Sequence, residues 1–122
     1  MKEKTLIIGA SLKPERYSYK AAKQLLANGI DIYMIGNRPG VLFNNEITKE
    51  QIVYPDVDTV TMYVSAKNQK GYYDYIKSLN PRRVIFNPGT ENSEFARQLE
   101  QRGIATEEAC TLVLLATKVY NN

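Results

Sequence analysis

The chain is 122 residues long, 43% hydrophobic and 24% charged, with a formal charge of +3. These figures predict one globular domain over residues 1–122, built on a single core. The one Cys excludes an internal disulfide and a cysteine-built zinc site, and the absence of His excludes a His-dependent triad, a phosphohistidine relay and a His metal site.

Strand-like and helix-like segments alternate along the chain. Thr5–Ile8 is a short apolar run stopped by Gly9 and reads as a buried strand. Ser18 to Asn28 carries Ala22, Leu25 and Leu26 at helical spacing, with Ser18 as the expected N-cap and Gly29 as the stop. Asp31–Ile35 reads as a second strand. Asn37 to Pro55 holds two turn signals, Pro39-Gly40 and Asn44-Asn45, and Ile52-Val53 is the candidate third strand. Thr59–Val64 is β-branched and aromatic, a strand. Lys67–Leu79 reads as a helix with Tyr72, Tyr73, Ile76 and Leu79 on one face, ended by Asn80-Pro81. Arg83–Asn87 is a strand, Ser93–Gln101 a helix, Ile104–Thr106 a weak strand, and Glu107–Val119 a helix or a loop followed by a helix.

This alternation predicts an α/β fold, a doubly wound and mostly parallel sheet with helices on both faces. In such sheets ligands bind beyond the carboxyl ends of the strands, where the winding reverses. Four loops therefore carry the candidate site: those following Ile8, Ile35, Val64 and Asn87.

The first loop, Gly9 to Ser18, joins a strand to a helix. Gly9 permits a tight turn, and Ala10 and Ser11 are small enough for a ligand to approach the backbone. The amides at the helix start favour an anion. Lys13 and Arg16 add positive charge, and Ser18 can offer its hydroxyl. The loop reads as a pyrophosphate site, but it lacks the Gly-x-Gly-x-x-Gly fingerprint of dinucleotide binders, having Ser at 11 and Pro at 14.

The second loop has Asn37 and Arg38 where NAD-binding folds commonly place a carboxylate for the ribose. A guanidinium there suits a ribose phosphate, whether the 2′-phosphate of NADP or the 3′-phosphate of coenzyme A. In the third loop Val64 and Ser65 can border a flat adenine, and Ser65 can also serve as an N-cap. In the fourth, Asn87 to Asn92, Glu91 reads more readily as a helix-dipole partner than as a base; Cys110, further along the chain, reads as a small buried thiol.

The charge agrees with a small anionic ligand. Residues 1–40 hold seven cations and three anions, and the remaining 82 hold nine and ten. No contiguous basic run or aromatic-plus-basic strand pattern points to nucleic acid. The longest low-polarity run, Ala109–Thr117, is far shorter than the roughly 20 residues that span a bilayer, and the N-terminus lacks the pattern of a secretory signal. A cytoplasmic protein that binds neither nucleic acid nor membrane is the expectation.

In combination these segments resemble the small stand-alone CoA-binding-domain proteins, which are similar to the N-terminal domain of the succinyl-CoA synthetase alpha subunit. The residues that carry the resemblance are Gly9-Ala10-Ser11 with Lys13-Pro14-Glu15-Arg16-Tyr17-Ser18, then Ile35-Gly36-Asn37-Arg38-Pro39, then Met62-Tyr63-Val64-Ser65-Ala66, extended by Asn87-Pro88-Gly89-Thr90-Glu91 and Ala109-Cys110-Thr111. The resemblance implies a Rossmann-like fold and coenzyme A or an acyl-CoA as ligand. It implies that the backbone at Gly9, Ala10 and Ser11, with Arg16 and Ser18, holds the diphosphate. Asn37 and Arg38 would meet the adenosine end and its 3′-phosphate, and Val64 and Ser65 the adenine. Ser65 stands where the synthetase-like pattern has Pro. The ligase chemistry does not carry over, because it uses a His in a following domain.

The leading expectation is a non-catalytic CoA or acyl-CoA module, a sensor or carrier. The alternatives are an NADP-dependent reductase domain, for which Tyr73 and Lys77 have the spacing of a proton-donor pair but Tyr73 lies on the expected buried face, and an interaction module with a vestigial nucleotide site. The tyrosine-rich helix and apolar C-terminal run also make a homo-oligomer an option.

Overall fold

The computed structural model describes residues 3–121. Seven strands form one sheet in the order β3-β4-β2-β1-β5-β6-β7. They are β1 (Lys4–Ile8), β2 (Ile32–Ile35), β3 (Gly40–Leu42), β4 (Asn45–Thr48), β5 (Val57–Met62), β6 (Arg83–Phe86) and β7 (Ala105–Glu108). All neighbouring pairs are parallel except β3 with β4.

Side-chain alternation along the strands builds two cores. On one side Leu6, Ile8, Val60, Met62, Val84 and Phe86 are buried under α2 (Tyr73–Leu79) and α3 (Ser93–Gln101). On the other, Ile7, Met34 and Ile85 lie with Ala22 and Leu25 of α1 (Tyr17–Ala27) and Leu115 of α4 (Thr111–Ala116). Strands buried on both faces explain the near-continuous apolar runs of β1 and β6. The expected doubly wound α/β architecture is therefore present, and its winding reverses between β1 and β5.

The structure corrects four local expectations. Ile52-Val53 is not a strand but exposed chain. The edge of the sheet is instead a hairpin, β3–β4, turning at Phe43 and Asn44, whose φ angles of 50° and 64° suit a two-residue turn that follows the strand twist. Strands of three and four residues are too short to show a period. Ser18 does not cap α1: the N-cap position is held by Arg16, and Ser18 is buried within the first turn.

The third correction concerns the segment before α2. Two 3-10 turns, Ala66–Asn68 and Lys70–Tyr72, replace the first half of the expected helix. Tyr75, not Tyr72 or Tyr73, is its most deeply buried tyrosine. The Tyr75 hydroxyl donates to the Ile52 carbonyl, and Gln51 Nε2 donates to the Gly71 carbonyl. These bonds hold the segment between β4 and β5 against the α2 side of the sheet. Tyr75→Phe leaves the Ile52 carbonyl without this partner, so a loss of about 1 kcal/mol in a urea titration is expected. Finally, the C-terminal region resolves into β7, a short loop and α4, with the helix ending at Ala116.

Candidate functional site

Ile8 pairs with both Ile35 and Met62, so the ends of β1, β2 and β5 lie side by side at the reversal point. The chain leaves all three in direct contact. The amides of Gly9 and Ala10 both donate to the Ile35 carbonyl at 2.9 Å, and Tyr63 donates its amide to the Ile8 carbonyl at 2.8 Å.

Two glycines make this closeness possible. Gly9 has φ +95°, and a Cβ there would lie 2.9 Å from the carbonyl carbon and oxygen of Tyr63. A Cβ on Gly36 would lie 2.3 Å from the Ala10 carbonyl oxygen. The first loop is thus wedged between the second and third. Gly9, Ala10, Ser11, Asn37, Arg38, Val64 and Ser65 all belong to this one edge of the sheet, and Lys13 and Arg16 continue from it toward α1.

The hydrogen bonds redistribute the donors that the sequence suggested. The Gly9 and Ala10 amides are already engaged, so these residues shape the loop. The Ser11 and Leu12 amides have no acceptor among the described residues. Ser11 Oγ accepts from the Lys13 amide at 3.1 Å.

The start of α1 is also open. Its first amides have no partner within the helix, Arg16 supplies no capping side chain, and no acidic residue stands in the first turn. Lys13, Arg16 and Arg38 are exposed and make no ion pair among the described residues. Free amides at a helix start and unpaired cations are the chemistry that favours an anion.

A family model described as a CoA binding domain matches residues 3–116. The chain belongs to this CoA-binding-domain family. A crystal structure of an uncharacterized protein is 42% identical and covers 98% of this chain and 99% of its own, with a TM-score of 0.94. A hypothetical protein from Pyrococcus horikoshii OT3 is 23% identical over 97% of this chain and 84% of its own, with a TM-score of 0.84. A Thermus thermophilus protein is 20% identical over 97% of this chain and 91% of its own, with a TM-score of 0.85. The latter two bear on the fold alone. No curated protein matches.

Membership in the CoA-binding-domain family implies a small-molecule ligand of the coenzyme A kind. The open helix start and the unpaired cations fit the phosphates of such a ligand. No helix among the described residues is long and apolar enough to cross a membrane.

The fourth loop of this CoA-binding domain is rigid for reasons the sequence did not reveal. Asn87 Nδ2 donates to Thr61 Oγ1 and the Met62 carbonyl, while its Oδ1 accepts from the Thr111 amide. Glu91 Oε1 accepts from the Gly89 amide at 2.9 Å, so its carboxylate closes the Pro-Gly turn. Asn92 caps α3 through Oδ1, which accepts from the Phe95 amide at 3.0 Å. Cys110 is half-buried at the N-cap position of α4.

Tyr63, the residue that follows β5, holds its hydroxyl buried without a hydrogen-bond partner among the described residues. Burial pushes this phenol up to about 12, and burial also raises Tyr75 and Tyr120. In the unfolded chain tyrosine ionises near pH 10. The folded state therefore holds more protons above that pH, and stability falls as pH climbs from about 10 toward about 12. Chemical denaturation at stepped alkaline pH, followed together with tyrosinate absorbance, is expected to show the midpoint falling over this window.

Proposed function

We propose that this domain binds coenzyme A or an acyl-CoA at the strand-end crevice without chemistry of its own, as a sensor or carrier. The observation that carries this reading is the uncapped start of α1, beside a loop edge bearing Lys13, Arg16 and Arg38 without ion-pair partners. In this reading the diphosphate meets the Ser11 and Leu12 amides, the first turn of α1, Lys13 and Arg16. The adenosine 3′-phosphate meets Asn37 and Arg38, and the adenine lies against Val64 and Ser65. Gly9 and Ala10 give the loop its shape.

Of the three tyrosine–lysine pairs at reductase spacing, Tyr19/Lys23, Tyr63/Lys67 and Tyr73/Lys77, the one on α2 is already engaged. The Tyr73 hydroxyl accepts from Asn92 Nδ2, its ring stacks on Phe95 at 4.1 Å, and Lys77 donates to Gln98 Oε1 at 2.6 Å. Both groups are committed to packing α2 against α3.

Calorimetric titration with CoA, acetyl-CoA, dephospho-CoA and NADP tests the proposal. CoA and acetyl-CoA are expected to bind comparably and dephospho-CoA about tenfold or more weakly, the loss of roughly one charge-assisted contact. Absence of binding by both CoA and acetyl-CoA overturns the reading. Preference for NADP, with loss of NADPH absorbance on a carbonyl panel, replaces it with the reductase.

A further inference from the structure

Gln69 is fully buried, between the two 3-10 turns that interrupt the expected helix. Its Nε2 donates to two backbone carbonyls on different loops, Val64 at 2.8 Å and Thr90 at 2.7 Å. Its Oε1 accepts from Asn92 Nδ2 at 3.0 Å. Asn92 in turn donates to the Tyr73 hydroxyl and caps α3. All three of the hydrogen-bonding directions Gln69 uses are thus spent on tying the third loop to the fourth. A buried amide with this many partners is costly to disturb, because each lost bond strands a polar group.

The consequence for the crevice follows from peptide geometry. In a trans peptide the carbonyl and the next amide N–H point in opposite directions, and there is no cis bond here. With the Val64 and Thr90 carbonyls drawn inward to Gln69, the Ser65 and Glu91 amides point away from it, out of the interior. Neither amide has an acceptor among the described residues.

We propose that Gln69 is a positioning residue for ligand binding, which holds the Ser65 amide outward to donate to the adenosine end of the ligand and sets the Glu91 amide beside it. This rests on the CoA reading above and adds to it a side chain that never touches the ligand. It also accounts for the broken helix, since a regular helix from Lys67 would run through the two turns that bring Gln69 inside.

The test compares CoA with 4′-phosphopantetheine, which lacks the adenosine, on the whole chain and on Gln69→Leu. The variant is expected to weaken CoA about tenfold and leave 4′-phosphopantetheine unchanged. Wild-type binding with an unchanged ratio of the two affinities in the variant overturns the role of Gln69 alone. Failure of the wild type to bind CoA overturns this proposal together with the CoA reading. Amide hydrogen exchange on the wild type supplies a second measurement that needs no variant. Saturating CoA is expected to slow exchange at Ser65, and exchange there that CoA leaves unchanged overturns the proposal even where Gln69→Leu fails to fold.

Discussion

Gly36→Ala is expected to destabilise the fold by about 4 kcal/mol, the upper end of single-substitution effects, and to push the first loop out of place. The new methyl would sit 2.3 Å from the Ala10 carbonyl oxygen and 3.1 Å from Ile47 Cγ2. Its main obstacle is backbone, which cannot swing aside as a side chain would. Ala10 is tethered on its own account, since its amide and that of Gly9 share the Ile35 carbonyl, and Gly36 donates its amide to the Thr48 carbonyl at 3.0 Å. Relief therefore requires the first and second loops to part, which loosens the ends of β1, β2 and β4 together. Gly71→Ala is the control: a Cβ there meets nothing within 4 Å. Urea titrations of both variants against the parent measure the difference. A loss below about 1 kcal/mol in Gly36→Ala would mean the loops separate freely.

The second large effect falls on the ligand. Arg38→Ala is expected to weaken CoA binding about 30-fold, equivalent to roughly 2 kcal/mol, while leaving dephospho-CoA unaffected. The guanidinium is exposed on the loop after β2 and has no ion-pair partner among the described residues, so its removal leaves no protein charge stranded. Arg38→Lys should recover only part of the affinity, since an ammonium keeps the charge without the planar fork. Titration of CoA and dephospho-CoA into each variant decides the matter. An equal loss for both ligands would detach Arg38 from the 3′-phosphate.

The difference between these two predictions reflects what a single sequence can carry. Arg38 was visible because a cation in the loop after the second strand is a local departure from a familiar pattern. Gly36 was visible only as part of the loop segment that carries the resemblance. Its role depends on Ala10, 26 positions earlier, whose carbonyl meets it across the sheet. Arg83 makes the same point: read as the first residue of a strand, it is in fact buried, with its guanidinium 4.5 Å from the Tyr120 ring centre and bonded to Glu107 at 3.3 Å. Charge favours the surface, and nothing near Arg83 in the chain announces those two partners.

Sequence alone determined the alternation of strands and helices, the doubly wound sheet, the four loops at its strand ends and the family to which the chain belongs. The first three follow from local runs: apolar stretches that bury both faces of a strand, amphipathic helices of useful length, and Gly or Pro at their ends; the family rests on the resemblance of the loop motifs. Tertiary structure decided the edge hairpin, the uncapped start of α1, the engagement of the Gly9 and Ala10 amides, and the Gln69 bridge between the third and fourth loops. Each of these depends on where a hydrogen-bond partner arrives from a distant part of the chain. A donor has no fixed destination until packing brings an acceptor to within about 3 Å.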